Sequence, residues 1–150
     1  MYAESNKPKV TALIDDNEDD RYLFNNAVRI ANPSFQLQTY PDGMKFMEQL
    51  SSTLDNGATI DLILLDLNMP QMDGFEVLSR IKQHPTFKVI PVVIYSTSNA
   101  DADALRCFEL GANAYLVKPL EFNDTVDMIR ALDDFWFKHG QTLSNRSPAS

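Results

Sequence analysis

Apolar and polar positions alternate between two rhythms along the chain. Lys9–Ile14 is a short buried strand, and the stretch from Asp20 to Ala31 then carries Tyr22, Leu23, Ala27, Val28 and Ile30 at near-helical spacing until Asn32-Pro33 stops it. Phe35-Gln36-Leu37-Gln38-Thr39-Tyr40 alternates apolar and polar, which suits an edge strand. After the Pro41-Asp42-Gly43 turn, Met44, Met47 and Leu50 mark a second helix, and Asp55-Asn56-Gly57 leads into a strand over Ile60–Leu65. Gly74–Lys82 carries Phe75, Leu78 and Ile81 on one helical face and is closed by His84-Pro85. Ile90–Tyr95 is the next buried run. Ala102–Leu110 reads as a helix capped by Gly111, Ala114–Val117 as a fifth strand, and Phe122 to about Lys138 as the last helix. Strand and helix thus alternate five times, and several strands are continuously apolar, as they are when helices cover both faces. The pattern predicts an α/β fold, doubly wound around a five-stranded parallel sheet with five helices.

Length and composition narrow this reading. A chain of 150 residues argues for one domain, with residues 1–8 as a flexible arm, 9–139 as the folded unit and 140–150 as a polar, disordered tail. The single cysteine, Cys107, excludes an internal disulfide framework; Leu105, Phe108 and Leu110 beside it suggest a buried, inert thiol. A net charge of −8 argues against nucleic acid or an anionic membrane as the main partner. There is no leader-like segment and no apolar run long enough to span a bilayer, so a cytoplasmic location is expected.

Chemistry collects at the ends of the expected strands. Five acidic residues fall in the run Asp15-Asp16-Asn17-Glu18-Asp19-Asp20, directly after the first strand. Asp66 follows Leu62-Ile63-Leu64-Leu65, Ser96 follows Ile90–Tyr95, and Lys118-Pro119 follows Tyr115-Leu116-Val117. Parallel α/β sheets hold ligands beyond the carboxyl ends of their strands. Clustered carboxylates there repel one another and call for a cation, and an oxygen-only set favours Mg²⁺. A carboxylate such as Asp66 can act as a phosphoryl acceptor, with the Lys118 ammonium as a point charge beside it. Glu18, Asp19 and Asp20 are read as favouring a helix N-terminus, Asp61 as a surface residue at a strand start, Asn99 or Ser98 as a helix cap, and His84 and His139 as surface residues.

These residues carry a family resemblance. Ile14-Asp15-Asp16, Leu64-Leu65-Asp66-Leu67-Asn68-Met69-Pro70, Met72-Asp73-Gly74, Pro91-Val92-Val93-Ile94-Tyr95-Ser96 and Gly111-Ala112-Asn113-Ala114-Tyr115-Leu116-Val117-Lys118-Pro119 resemble, in order and spacing, the receiver domain of two-component response regulators. The resemblance spans about Lys9 to Lys138. It implies a flavodoxin-like sheet in the order 2-1-3-4-5. It also implies Asp66 as phosphoacceptor, Asp16 as a direct Mg²⁺ ligand, Asp15 as a ligand acting largely through water, and the backbone carbonyl of Asn68 as a further ligand. Ser96 takes the hydroxyl position that bonds the phosphoryl oxygen, Tyr115 the aromatic switch position, and Lys118 the phosphate-pairing position, with a bond to Pro119 that is often cis in the family. Thr97, Asn68 and Ser98 flank the expected water path and are implied to tune dephosphorylation.

The donor histidine is expected from a sensor histidine kinase or phosphotransfer protein, and a signalling phosphoacceptor rather than a turnover enzyme is implied. With no output domain after the fifth helix, signalling is expected through the surface of the fourth helix, fifth strand and fifth helix. The Phe135-Trp136-Phe137 run exceeds the one apolar stripe a helix on a sheet needs, which points to a homodimer contact, the alternative being aromatics folded back over the domain's own edge. The early Asp-rich run and the late Phe-Trp pair are similar to stand-alone regulators paired with bacterial phytochromes and hybrid kinases. The competing readings are a phosphorylation-independent binding module, an aspartyl-nucleophile phosphohydrolase, which would usually want an acid where Asn68 stands, and a flavin carrier, whose phosphate the acids would repel.

Overall fold

The computed structural model describes residues 8–140. The chain forms β1 (Lys9–Ile14), α1 (Glu18–Ala31), β2 (Phe35–Tyr40), α2 (Gly43–Asn56), β3 (Leu62–Leu65), α3 (Gly74–Gln83), β4 (Val92–Ser96), α4 (Asp101–Glu109), β5 (Ala114–Val117) and α5 (Phe122–Leu132). A short 3-10 turn, Phe87–Val89, precedes β4, and α5 runs on as a π-helix over Asp133–His139. The strands form one sheet in the order β2-β1-β3-β4-β5, every neighbouring pair parallel, as the sequence predicts. The expected arm and tail lie outside the described residues, apart from Pro8 and Gly140.

Side-chain alternation along the strands divides the core in two. Ala12, Ile14, Ile63, Leu65, Val92 and Ile94 face α2, α3 and α4, packing with Phe46, Leu50, Val77, Leu78, Ile81 and Cys107. Leu13, Leu62, Leu64, Val93 and Tyr95 face the other way, onto Phe24 and Ala27 of α1 and Val126, Ile129 and Leu132 of α5. Burying β3 on both faces requires its unbroken Leu-Ile-Leu-Leu run.

Several expected faces turn out differently. On α1 the inward residues are Phe24 and Ala27, while Tyr22, Leu23 and Ile30 are exposed. On α2 Phe46 and Leu50 are buried and Met44 is exposed, because the side chain stacked edge-on by Tyr40 is Phe46, at 5.1 Å. Asp61 is fully buried rather than superficial: its Oδ2 accepts the Val10 backbone N–H at 2.9 Å, so it satisfies the first amide of the neighbouring strand. His84 is half-buried and accepts the backbone N–H groups of Thr86 and Phe87 at 3.1 and 3.2 Å, closing the turn after α3. The cap of α4 is neither Ser98 nor Asn99; the helix starts from Ala100, and the Ser98 hydroxyl instead donates to Asp103 at 2.6 Å. Cys107 is buried as expected, and burial pushes its thiol up to about 11, but Leu105 and Phe108 beside it point outward.

The last aromatics divide between the two expectations. Phe137 is buried against Phe35 at 5.2 Å, folded back over the domain's own edge. Phe135 is 65% exposed and Trp136 is half-buried.

Candidate functional site

Three parallel strands deliver their last residues to one edge of the sheet. The backbone N–H of Asp15 donates to Tyr40 O at 3.1 Å, that of Asp66 to Ile14 O at 3.0 Å, and that of Lys118 to Ser96 O at 2.8 Å. Each residue just past a strand is thereby fixed by the strand beside it. A tight approach from α3 sets the loop after Asp66: Gly74 N–H donates to Leu67 O at 2.9 Å, and a Cβ on Gly74 would run into the Asp66 carbonyl and stand 2.7 Å from Leu67 Cα.

The carboxylates of Asp15, Asp16 and Asp66 converge, with one oxygen of each within 4.8 Å of the others. Asp15 and Asp66 are buried and Asp16 is exposed, so the trio opens to solvent on one side. The donor set is all oxygen, which fits a hard divalent cation. Asp15 is held from both ends: Oδ1 accepts the Asn17 N–H at 3.0 Å and Oδ2 accepts Lys118 Nζ at 2.6 Å.

Lys118 links this trio to the rest of the site. Its ammonium lies 2.8 Å from Asp20 Oδ2 and 3.5 Å from Asp66 Oδ2. Burial works against its charge, but the bonds to Asp15 and Asp20 outweigh it and hold its pKa above the ordinary lysine value. Asp66 is pushed up from 3.8 to about 6: burial dominates and the Asp15 charge adds to it, while Lys118 and the N–H groups of Leu67 and Asn68 oppose it. The Lys118–Pro119 bond is trans, unlike the cis form frequent in the resembled family.

Ser96 is fully buried, and its hydroxyl oxygen accepts the Ser98 N–H at 3.3 Å. Tyr115 is half-buried and donates its hydroxyl to Ser98 O at 2.8 Å. Ser98 therefore sits between the two, touching Ser96 through its amide and Tyr115 through its carbonyl. Asn68, two residues after Asp66, and Thr97, directly after Ser96, are exposed.

Asp15, Asp16, Asp66, Ser96 and Lys118 thus come together at this sheet edge, whereas Tyr115 lies within β5, paired with Ile94, and reaches Ser98 only through its hydroxyl. Two partners were not foreseen. Asp20, expected only to favour the α1 dipole, binds Lys118, and Arg21 Nη1 donates to the Asp15 carbonyl at 2.7 Å. The signal for Asp20 was its place one helical turn after Asp16, where a first-turn side chain can point back at the strand ends.

Comparison with known proteins gives concordant results. The response regulator receiver domain family matches residues 11–130. The response regulator Rcp1 of Synechocystis is 38% identical over 141 residues, covering 92% of this chain and 95% of that protein. A probable methanogenesis regulatory protein, FilR2, of Methanothrix harundinacea is 32% identical, covering 97% of this chain and 91% of that protein. Among solved structures, the phosphorylated cyanobacterial phytochrome response regulator RcpA superposes with a TM-score of 0.82 at 34% identity, covering 91% of this chain and 99% of that one. The Mn²⁺-bound form of Rcp1 superposes with a TM-score of 0.79 at 35% identity, covering 90% and 99%.

Proposed function

The chain belongs to the response regulator receiver domain family, and on that premise we propose that it takes a phosphoryl group onto Asp66 and uses it to switch a protein-binding surface. The observation that carries this reading is the placement of Asp66: at a strand end, in a trio with Asp15 and Asp16, and 3.5 Å from the Lys118 ammonium. Nucleophile, electrostatic partner and acidic cradle meet at one point, which is what in-line phosphoryl transfer asks of a protein.

Asp15, Asp16, Asp66 and the backbone carbonyl of Asn68 would hold a divalent cation. Mg²⁺ is our assignment, supported by the all-oxygen donors and the open side at Asp16. When bound, it neutralises charge on the phosphoryl oxygens. The donor is a phosphohistidine of a sensor histidine kinase or phosphotransfer protein. An Asp66 oxygen forms the new bond to phosphorus as the bond to the donor nitrogen breaks, and the imidazole leaves with that electron pair. Lys118 meets the charge of the bound phosphoryl group.

The Ser96 hydroxyl then turns toward a phosphoryl oxygen and gives up the Ser98 amide. Ser98 also holds the Tyr115 hydroxyl, so its release frees the ring to move inward. The equilibrium of the surface made by α4, β5 and α5 shifts accordingly. Thr97, Asn68 and Ser98 set how fast water resets the switch. The chain acts as a signalling phosphoacceptor, not a turnover enzyme, in the cytoplasm; its net charge of −8 speaks against a nucleic-acid or membrane partner, and no helix among the described residues is long and apolar enough to cross a membrane.

A homodimer completes the proposal. An apolar groove of about 340 Å³ runs between β5 and α5, lined among others by Leu116, Met128, Leu132 and Trp136, with exposed Phe135 at its rim. A groove and a projecting aromatic on one surface are self-complementary about a two-fold axis, so we assign this face to a second copy.

The test is intact mass after incubation with a small phosphodonor, with and without Mg²⁺, for the native chain and Asp66→Asn. A Mg²⁺-dependent gain of one phosphoryl group that vanishes in the variant supports the reading. No gain, together with no Mg²⁺ binding, would favour a phosphorylation-independent binding module.

A further inference from the structure

Three carboxylates surround the Lys118 ammonium, and they are not equivalent. Asp15 and Asp20 make the short contacts, 2.6 and 2.8 Å, and Asp66 the long one, 3.5 Å. The ammonium is therefore drawn toward α1 and away from Asp66. Asp20 is placed for this by its own backbone: its N–H donates to the Asn17 side chain at 2.9 Å, the cap of α1. Its carboxylate then starts from a fixed point in the first turn of that helix.

The two anchors differ in what they can do when the lysine leaves. The Asp15 side chain is fully buried, and losing Lys118 would leave its charge without water. The Asp20 side chain is 36% exposed and can take water in place of the ammonium. An ammonium has three donors. Two are committed to Asp15 and Asp20, which leaves one for a phosphoryl oxygen; a second bond to the phosphoryl group requires one of those two to open. The Asp20 bond is the one that opens at smaller cost.

We propose that Asp20 is a positioning residue, which holds Lys118 on the α1 side of the site and sets how readily the ammonium is given up to a phosphoryl group on Asp66. The second half rests on the function proposed above; the first half does not. By linkage, a partner that binds Lys118 more strongly before phosphorylation than after it disfavours the phosphorylated state. Asp20 is thus a brake built into the acidic run, and Asp19, its exposed neighbour on the same turn, is not.

The experiment has two readings on the full chain. The first is the rate of Lys118 acetylation by acetic anhydride in the presence of a chelator, followed by peptide mass, for native, Asp20→Asn, Asp20→Glu and Asp19→Asn proteins. Asp20→Asn is expected to raise labelling about two- to five-fold, the range of a half-exposed ion pair. Asp20→Glu should restore most of the protection, and Asp19→Asn should match the native chain. The second is the rate of phosphoryl gain from a small phosphodonor with Mg²⁺, which should rise by a similar factor in Asp20→Asn and not in Asp20→Asn combined with Lys118→Met. Equal labelling of Asp20→Asn and Asp19→Asn would overturn the proposal, as would raised labelling with an unchanged phosphorylation rate. If the native chain gains no phosphoryl group and binds no Mg²⁺, the function proposed above fails, and the labelling alone decides whether Asp20 holds Lys118.

Discussion

Lys118 and Asp15 are 103 residues apart in the chain and 2.6 Å apart in space, Nζ to Oδ2. The Asp15 side chain is fully buried and that of Lys118 is 9% exposed. Such a pair adds little net stability, since both charges have been taken from water, but breaking it strands the survivor. Here the survivor would be Asp15 beside Asp66.

Lys118→Met should therefore destabilise the protein by about 3–5 kcal/mol in the presence of a chelator. The same substitution removes a cation that competes for the acidic trio. Added Mg²⁺ should then raise the melting temperature of the variant more than that of the native chain, because binding to the folded state alone is what stabilises. Thermal melts of both proteins across a Mg²⁺ titration measure this; equal Mg²⁺ shifts would show that lysine and metal do not share ligands.

A second expectation follows from the Asp66 carboxyl. Its pKa is pushed up from 3.8 to about 6, mainly by burial. Between those values the folded state keeps the proton and the unfolded chain has lost it. Stability in a chelator should thus fall as pH rises from about 4 to 6. Asp66→Asn carries no charge, so it should remove this slope and, at pH 7, be more stable than the native chain by about 1–3 kcal/mol. Urea melts at pH 4, 5, 6 and 7 check both the sign and the window; parallel curves for the two proteins would place the burial cost elsewhere.

How much of this was legible in the sequence depends on what each residue touches. The strands were, because Leu62-Ile63-Leu64-Leu65 and Ile90–Tyr95 leave little choice but a sheet buried on both faces. The acids and Lys118 were too, because strand ends in such a sheet converge. The rotation of α1 was not: Tyr22-Leu23-Phe24 offers three adjacent large apolar side chains, and only contact with Tyr95, 5.5 Å from Phe24, decides which faces inward. Asp61 is read from the sequence as a surface acid at a strand start and Asp20 as an acid favouring the α1 N-terminus. Their partners, Val10 N–H and Lys118 Nζ, lie 51 and 98 residues away; the spacing from Asp16 hints at the direction of Asp20, but nothing local marks Asp61 or names either partner. His84 looked superficial because its role is to accept two amides of a turn that has no distinctive spacing.

Gly74 offers a test of the frame around the site rather than of its charges. A methyl group there meets the Asp66 carbonyl and the Leu67 Cα, both backbone, so neither can swing aside. Gly74→Ala should cost about 1–3 kcal/mol, the range for overpacking. It should also weaken Mg²⁺ binding, since Asp66 would shift with its carbonyl. Isothermal titration against Gly57→Ala separates the two effects: Gly57 sits at φ 72° with nothing within 4 Å of a Cβ, so its substitution strains the backbone without touching the site.

Phe135 and Phe137 should part company in the same experiment. Phe137 is 5% exposed, packs on Phe35 and carries Lys9 Nζ 5.7 Å above its ring, so Phe137→Ala should cost about 3–5 kcal/mol as a core deletion. Phe135 is 65% exposed and contacts Trp136 edge-on at 4.9 Å, so Phe135→Ala should change monomer stability by less than about 0.5 kcal/mol. If the β5–α5 groove receives a second copy, the same Phe135→Ala weakens self-association while leaving the fold intact. Sedimentation equilibrium of native and Phe135→Ala chains decides it. A native chain that stays monomeric to high concentration would leave Phe135 without a partner of its own kind and return the groove to a different protein.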